Sequence, residues 1–316
     1  MNANELVSIV IPTRDRWQLL SRRALPSALA QEGVDFEAVV VDDGSTDGTA
    51  TRLRALDDAR IRVVENSRPG RVARARNAGI QAARGAWCAF LDDDDAWRPD
   101  KLRIQLEALH ASGADFAYGG VVGVDEHGVP LYVTPAPPAA DLRREIRAQC
   151  VIPAGPSNVV ARTSVLVDLG GFDDRFVNLE DWDLWIRLAD VARGVAVPET
   201  LVAYLEHGEG KSLTRPSEAF AELDELERKH DALGVGGRLR VDRPAFAHYV
   251  AWLQLRRRRR VAAASVYVRS AITNRRARDL VPAVGFAMRG LVPVRRSLLG
   301  SDSTEIVKPA WLDLYR

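Results

Sequence analysis

Apolar residues in the first third of the chain alternate between short continuous runs and helical spacings. "VSIVIPT" is a β-branched run that stops at Pro12 and Thr13, the pattern of a strand buried on both faces. "DRWQLLSRRALPSALAQ" follows with Leu19, Leu20, Leu25 and Leu29 at helical intervals. "FEAVVVDDGSTDGT" is a second strand ending in a polar turn, "ATRLRALD" a short helix and "IRVVEN" a third strand. "GRVARARNAGIQAARG" is spaced as a helix, with Gly85 as its expected terminator. "AWCAFLDDDD" is a fourth strand, and "PDKLRIQLEALHASG" a helix with Pro99 in its first turn. This alternation predicts an α/β domain: a Rossmann-like, mostly parallel sheet with helices on both faces.

Beyond about Asp115 the pattern changes. "DFAYGGVVGVDEHGVPLYV" predicts short strands with a hairpin around "DEHGVP", and "TPAPPAA" a Pro-rich loop. "SNVVARTSVLVDLGGFDDRF" predicts a strand, a short helix and a Gly-Gly stop. "LEDWDLWIRLADVARG" is amphipathic, with Leu184, Trp185, Leu188 and Val191 on one side. "VAVPETLVAYLEHGEGKSLT" predicts a strand pair running into a polar loop. From about Pro216 the chain is expected to be mainly α-helical, so the predicted division is a domain over 1–215 and a helical extension over 216–316.

Composition changes this picture little, but charge does. With 47% hydrophobic and 28% charged residues the chain is ordinary globular material. Cys88 and Cys150 supply neither a disulfide framework nor metal-ligand spacing. No secretory signal is expected in "MNANELVSIVIP", and no apolar run approaches the ~20 residues of a membrane span. The expectation is a cytoplasmic protein, peripheral at most on the inner face of the cytoplasmic membrane. Between Gly236 and Gly300 fifteen arginines face two acids, a net +13, which leaves −12 on the rest of the chain. That asymmetry points to an anionic partner for the C-terminal part. A packed helical subdomain with solvated arginines is its structural alternative, and anionic lipid its interaction reading. No nucleic acid is expected, because no nucleic-acid-binding motif is present.

Ligands of such sheets bind beyond the carboxyl ends of the strands. "PTRD", "DDGSTD" and "DDDD" all fall there. Four adjacent aspartates, Asp92 to Asp95, repel unless a cation or a helix terminus faces them. In the structural alternative Asp95 caps the helix that follows, which accounts for one or two acids at ~0.3–1 kcal/mol each. In the functional one the cluster binds a hard divalent cation, Mg²⁺ or Mn²⁺. Asp42 and Asp43 sit where a base and ribose can be bound, although Gly44 and Ser45 are also good turn residues. Arg74 and Arg76 suit phosphate contact or, singly, a solvated helix face.

"VSIVIPTRDR", "VVVDDGSTDGT", "ARNAGI", "GAWCAFLDDDDAWRPDKL" and "LEDWDLWIRL" resemble, in order and rough spacing, the motifs of family 2 glycosyltransferases over about residues 7–215. The resemblance implies a GT-A fold and an inverting, metal-dependent enzyme. By it, Pro12, Thr13 and Arg14 border the nucleotide base. Asp43, supported by Asp42, accepts from the uracil or ribose, and Arg76 meets the nucleotide. Asp92, Asp93 and Asp94 resemble a DXD motif; Asp94 would bind the metal, and Asp92 the ribose or a metal water. In "LEDWDLW" Asp181 would be the general base, with Glu180 beside it; helix statistics alone favour the structural alternative, in which Glu180, Asp181 and Asp183 are first-turn acids of an amphipathic helix. His207, and less firmly Ser212, would approach the metal or diphosphate, although Leu205 or Glu206 replaces the usual arginine of that loop.

The implied donor is a nucleotide diphosphate sugar, uridine-linked by default, with guanosine and thymidine donors open. The implied acceptor is a hydroxyl on a glycan, a lipid-linked saccharide, a protein or a small molecule, contacted by about Gly119 to Asn158. Two other functions compete. A nucleotidyltransferase would have no use for "LEDWDLW", and no Gly-rich, Lys-containing loop follows the first strand. A catalytically silent nucleotide-sugar-binding scaffold would not need Asp92–Asp94 and Glu180–Asp181 intact.

Overall fold

The computed structural model describes residues 6–66, 69–206, 216–273 and 309–315. Its strands are β1 (Val7–Thr13), β2 (Phe36–Asp42), β3 (Ile61–Glu65), β4 (Trp87–Phe90), β5 (Ala96–Trp97), β6 (Phe116–Val124), β7 (Pro130–Thr134), β8 (Val160–Arg162) and β9 (Gly194–Leu205). Among the described residues they form one sheet in the order β3-β2-β1-β4-β8-β6-β9-β5, with β7 paired to β6. β3, β2, β1 and β4 are mutually parallel, as are β6 and β9. β5, β7 and β8 pair antiparallel. Every residue of β1 is buried, as a central parallel strand covered on both faces requires.

The helices before residue 207 are α1 (Trp17–Leu19), α2 (Leu25–Leu29), α3 (Thr49–Arg54), α4 (Val72–Ala82), α5 (Lys101–Ser112), α6 (Ala139–Glu145), α7 (Thr163–Asp168) and α8 (Glu180–Val191). A π-helical segment, Leu20–Ala24, joins α1 to α2, so the predicted first helix is interrupted. α4 lies against β1 so closely that a Cβ on Gly79 would sit 2.2 Å from Val10 Cγ1. Beyond the site, α9 (Pro216–Leu233), α10 (Arg243–Arg256) and α11 (Arg260–Thr273) bear out the helical C-terminal region.

By contact density the chain forms two compact units. One contains the sheet, its helices and a 3₁₀ segment, Ala310–Tyr315; the other contains α9 to α11 and also takes in Arg144–Cys150. In the second unit the Asp242 amide donates to Ala148 O at 2.9 Å and Arg147 Nη2 to Val235 O at 3.3 Å.

Three local expectations are corrected. Gly85 does not cap α4, which ends at Ala82; glycine is needed there because a Cβ would lie 2.4 Å from Leu6 O. Asp95 does not cap a helix: it is fully buried and accepts from the Leu205 amide at 3.0 Å. The expected strand pair near the end of the domain is one strand, β9, which keeps pairing with β6 through register shifts near Gly120.

Candidate active site

β2, β1 and β4 are parallel neighbours, so their carboxyl ends lie side by side on one edge of the sheet. β1 delivers Thr13, the turn after β2 delivers Asp43, and the turn after β4 delivers Asp92 to Asp95. The acidic run alternates in environment. Asp93 and Asp95 are buried, whereas Asp92 and Asp94 keep side-chain exposures of 29% and 16%. Thr13 Oγ1 donates to Asp93 Oδ2 at 2.8 Å. Arg16 Nη1 lies 2.7 Å from Asp93 Oδ1 and 2.8 Å from Asp94 Oδ2, and Arg23 Nε donates to the Asp94 carbonyl. Burial, reinforced by Asp94, pushes the Asp93 carboxyl up, with Arg16 and Thr13 opposing. Burial and the charges of Asp94 and Asp92 hold Asp95 well above the usual carboxylate range. Four adjacent acids are tolerated because two turn inward, with raised pKa values, and two face cationic partners or the open edge.

Arg76, on α4, joins this cluster to α8. Its Nη2 donates to Asp92 Oδ1 at 2.6 Å and its Nη1 to Glu180 Oε1 at 2.9 Å, while the guanidinium carbon lies 5.3 Å from the Phe172 ring centroid. Burial works against the guanidinium charge, and Asp92 and Glu180 outweigh it, raising the Arg76 pKa. Glu180 is pushed up by burial and pulled back by Arg76. Asp181 follows at the start of α8; burial raises its carboxyl above the ordinary aspartate value, while Arg76 and the Trp182 amide oppose. Asp181 Oδ1 accepts from the Trp182 amide at 2.7 Å. Arg76 Nε and Glu180 Oε2 are buried with no hydrogen-bond partner.

α8 and the Gly-Gly turn are fixed from behind. Asp183 is fully buried and accepts two bonds from Arg187, at 2.9 and 2.7 Å, and Arg187 also donates to the Leu169 and Gly171 carbonyls. Asn77 clamps Phe172 from both sides: its amide donates to Phe172 O at 2.7 Å and its carbonyl accepts from Phe172 N at 2.8 Å. At the β2 end, Asp42 Oδ1 accepts from the Ser45 amide, which closes the turn. Asp43 accepts from Asn66 Nδ2 at 2.5 Å and Gly70 N at 2.8 Å. Arg14 is exposed, 4.0 Å from Asp43, and Pro12 is buried within β1. Arg74 pairs with Asp174 rather than with the acidic cluster.

The structure therefore brings Thr13, Arg76, Asp92 to Asp95, Glu180 and Asp181 to one edge. Asp43 and Arg14 stand on the neighbouring strand end. His207 and Ser212 lie outside the described residues. Sequence reasoning passed over Arg16 and Arg23, and Ser157, whose Oγ accepts from the Asp92 amide at 3.0 Å. Arg16 stands inside the quoted "PTRDR"; nothing local marks Arg23 or Ser157.

A Rossmann-like sheet carrying acids beyond β2 and β4, with an acidic helix start bridged to them by arginine, is the GT-A class of architecture. Residues 8–162 match the family described as Glycosyl transferase family 2, and residues 142–236 match Glycosyltransferase like family 2. The UDP-Glc:alpha-D-GlcNAc-diphosphoundecaprenol beta-1,3-glucosyltransferase WfgD of Escherichia coli is 30% identical over 184 residues, 58% of this chain and 69% of WfgD. Succinoglycan biosynthesis protein ExoO of Rhizobium meliloti is 47% identical over 112 residues, 35% of this chain and 32% of ExoO. The fold is shared with S. aureus TarS 1-349 in complex with UDP-GlcNAc, at TM-score 0.62 and 19% identity over 89% of this chain and 80% of that one. The chain belongs to glycosyltransferase family 2.

Proposed function

We propose that the protein is a metal-dependent inverting glycosyltransferase that moves a sugar from a uridine diphosphate sugar to an acceptor hydroxyl during envelope polysaccharide assembly. The observation that carries this reading is Arg76, which bonds Asp92 with one nitrogen and Glu180 with another. It joins the acids assigned here to the nucleotide with the acids assigned to the acceptor at one edge of the sheet.

Among the described residues no group of three or more His, Cys, Asp and Glu side chains converges on a metal position. The donor set still fits a hard divalent ion. Asp93 and Asp94 converge on the single cationic nitrogen of Arg16, so the cluster is built to face positive charge. Mg²⁺ and Mn²⁺ are commonly held by one or two carboxylates plus substrate phosphates. Asp94 and Asp92, the two partly exposed members, would be those ligands, with His207 a further candidate. Such an ion supplies charge neutralisation at the departing diphosphate.

The chain's own groups do the rest. Asp43 and Asp42 receive the uridine end, beside Pro12, Thr13 and Arg14. Arg76 and Arg16 place fixed positive charge where negative charge develops, in a site that needs little reorganisation. Asp181 takes the acceptor proton as the hydroxyl oxygen attacks the anomeric carbon and the bond to the diphosphate breaks. One displacement inverts that carbon. WfgD is named for a UDP-glucose donor and a diphosphoundecaprenol-linked acceptor, and ExoO for succinoglycan biosynthesis, which supports a saccharide acceptor in envelope synthesis.

A lipid-linked acceptor would bring the chain to a membrane surface. Among the described residues no helix is long and apolar enough to cross a membrane. α11 exposes Val261, Val268 and Ile272 on one side, just after exposed Arg258 to Arg260, which supports a peripheral contact with anionic lipid. The remaining basic stretch, 274–308, lies outside the described residues. Co-sedimentation with vesicles should rise with anionic lipid content; insensitivity to it removes the membrane contact.

The function is tested by Asp94→Asn and Asp181→Asn, assayed for sugar transfer and for UDP binding with Mn²⁺. Both should lose transfer by roughly 100-fold or more. Asp181→Asn should keep metal-supported UDP affinity, and Asp94→Asn should lose it. Equal loss of nucleotide binding in the two variants refutes this division of labour.

A further inference from the structure

The turn Pro153–Asn158 carries no motif, yet it touches both halves of the site. Asp181 Oδ2 faces Gly155: a Cβ placed on that glycine would lie 2.7 Å from the oxygen, closer than carbon and oxygen can approach. Gly155 has φ +47°, a left-handed backbone that strains any side chain, as at Ala154 with φ +54°. At 155 the carboxylate contact acts against a side chain in addition to that backbone.

The turn is also pinned. Asn158 is fully buried; its Oδ1 accepts from Gly119 N at 2.8 Å, and its Nδ2 donates to Gly119 O at 2.7 Å and Pro153 O at 3.0 Å. Gln105 Nε2 donates to Asn158 O at 2.9 Å and Trp97 Nε1 to Ser157 O at 2.7 Å. Ser157 Oγ, in turn, holds the Asp92 amide. One pinned segment thus holds the Asp92 backbone and leaves, at Gly155, the space that the Asp181 carboxylate occupies.

We propose that this turn is the positioning element of the transfer reaction: Gly155 is a positioning residue that fixes the Asp181 carboxylate against the acidic cluster, and Asn158 locks the turn onto β6. The proposal rests on Asp181 acting as the base. Misplacing a reacting group by about 1 Å costs on the order of 100-fold in rate, and a methyl at 155 forces a displacement of that order.

The test is Gly155→Ala in two backgrounds, with kcat, donor KM, UDP affinity and melting temperature measured. With Asp181 present, kcat should fall roughly 100-fold while donor KM and UDP affinity stay within about 2-fold. In the Asp181→Asn background the same change should cost less than about 3-fold, because there is no base left to misplace. Ala154→Gly, at the same backbone conformation, should leave kcat within about 2-fold. Should Gly155→Ala not accumulate as folded protein, Asn158→Ser loosens the turn without adding an atom near Asp181; it should lower kcat by roughly 10-fold or more and, because Ser157 in the same turn holds the Asp92 amide, weaken UDP affinity as well. A kcat within 3-fold of the parent in a folded variant, or an equal loss in both backgrounds, overturns the proposal. Transfer that survives Asp181→Asn overturns instead the assignment of the base.

Discussion

Arg76→Met tests how the two halves of the cleft are joined. The guanidinium is 4% exposed and bonds Asp92 and Glu180, whose side chains are 29% and 9% exposed. Breaking a buried ion pair from one side costs about 3–5 kcal/mol, because the remaining charge is left uncompensated. Asp92 is partly solvated and contributes little to that cost, so the loss comes from Glu180. Glu180 is already raised by burial and can shed its charge by taking up a proton, which keeps the loss near the lower end, about 3 kcal/mol. Losing the buried cation over Phe172 adds about 2 kcal/mol. The expected fall in melting temperature is roughly 10–20 °C. Because the penalty is an orphaned acid, Glu180→Gln should rescue it: the double variant should be more stable than Arg76→Met by at least about 1.5 kcal/mol. Thermal and urea unfolding of the four members of the cycle, at one neutral pH, give the coupling. A cycle that is additive to within about 0.5 kcal/mol would refute the bridge, as would an Arg76→Met protein as stable as the parent.

Two further outcomes follow from titration. Asp181 must be ionised to accept a proton, and burial raises its carboxyl above the ordinary value of 3.8, so transfer should fade with decreasing pH at a point above that value. Arg76 opposes the rise, so Arg76→Met should move this acid limb to still higher pH; a limb that stays put contradicts the assignment. Lys101, fully buried with its amine donating to Gln105 Oε1 at 2.7 Å, is held well below the ordinary 10.5 by burial. The unfolded chain therefore takes up that proton first, and the protein gains stability as pH rises toward 10.5. Lys101→Met should be relatively most stabilising near neutral pH and lose that advantage as pH climbs; a melting-temperature difference that does not change with pH sinks this account.

The parallel half of the sheet was legible because buried strands and amphipathic helices have different apolar periods, and the polar clusters fall at strand ends by the same pattern. Asp92 to Asp94 could be singled out because acids beyond a buried strand stand out against their surroundings, whereas acids opening an amphipathic helix are ordinary, and Asp181 is marked only by the resemblance. The structural alternative of Asp95 as a cap fails because its partner, the Leu205 amide, is 110 residues away in sequence. Gly85 has a similar history: its steric contact, Leu6 O, belongs to the segment before β1 and leaves no local trace. Ser157 and Asn158 open the segment that reads as a strand, and nothing in that pattern gives their burial, which comes from packing against β6 and the chain around Trp97. Arg16 was legible in principle, since a cation next to β1 lies at the same strand-end edge as the acids.

The measurement that bears most directly on the central claim is a crystal structure with UDP and Mn²⁺ bound. The account predicts a metal peak at Asp94, diphosphate density beside it, uridine against Asp43, and the Asp181 carboxylate facing the open side where a sugar would project. Nucleotide bound elsewhere, or Arg16 still spanning Asp93 and Asp94 with no metal beside a fully occupied UDP, would contradict it.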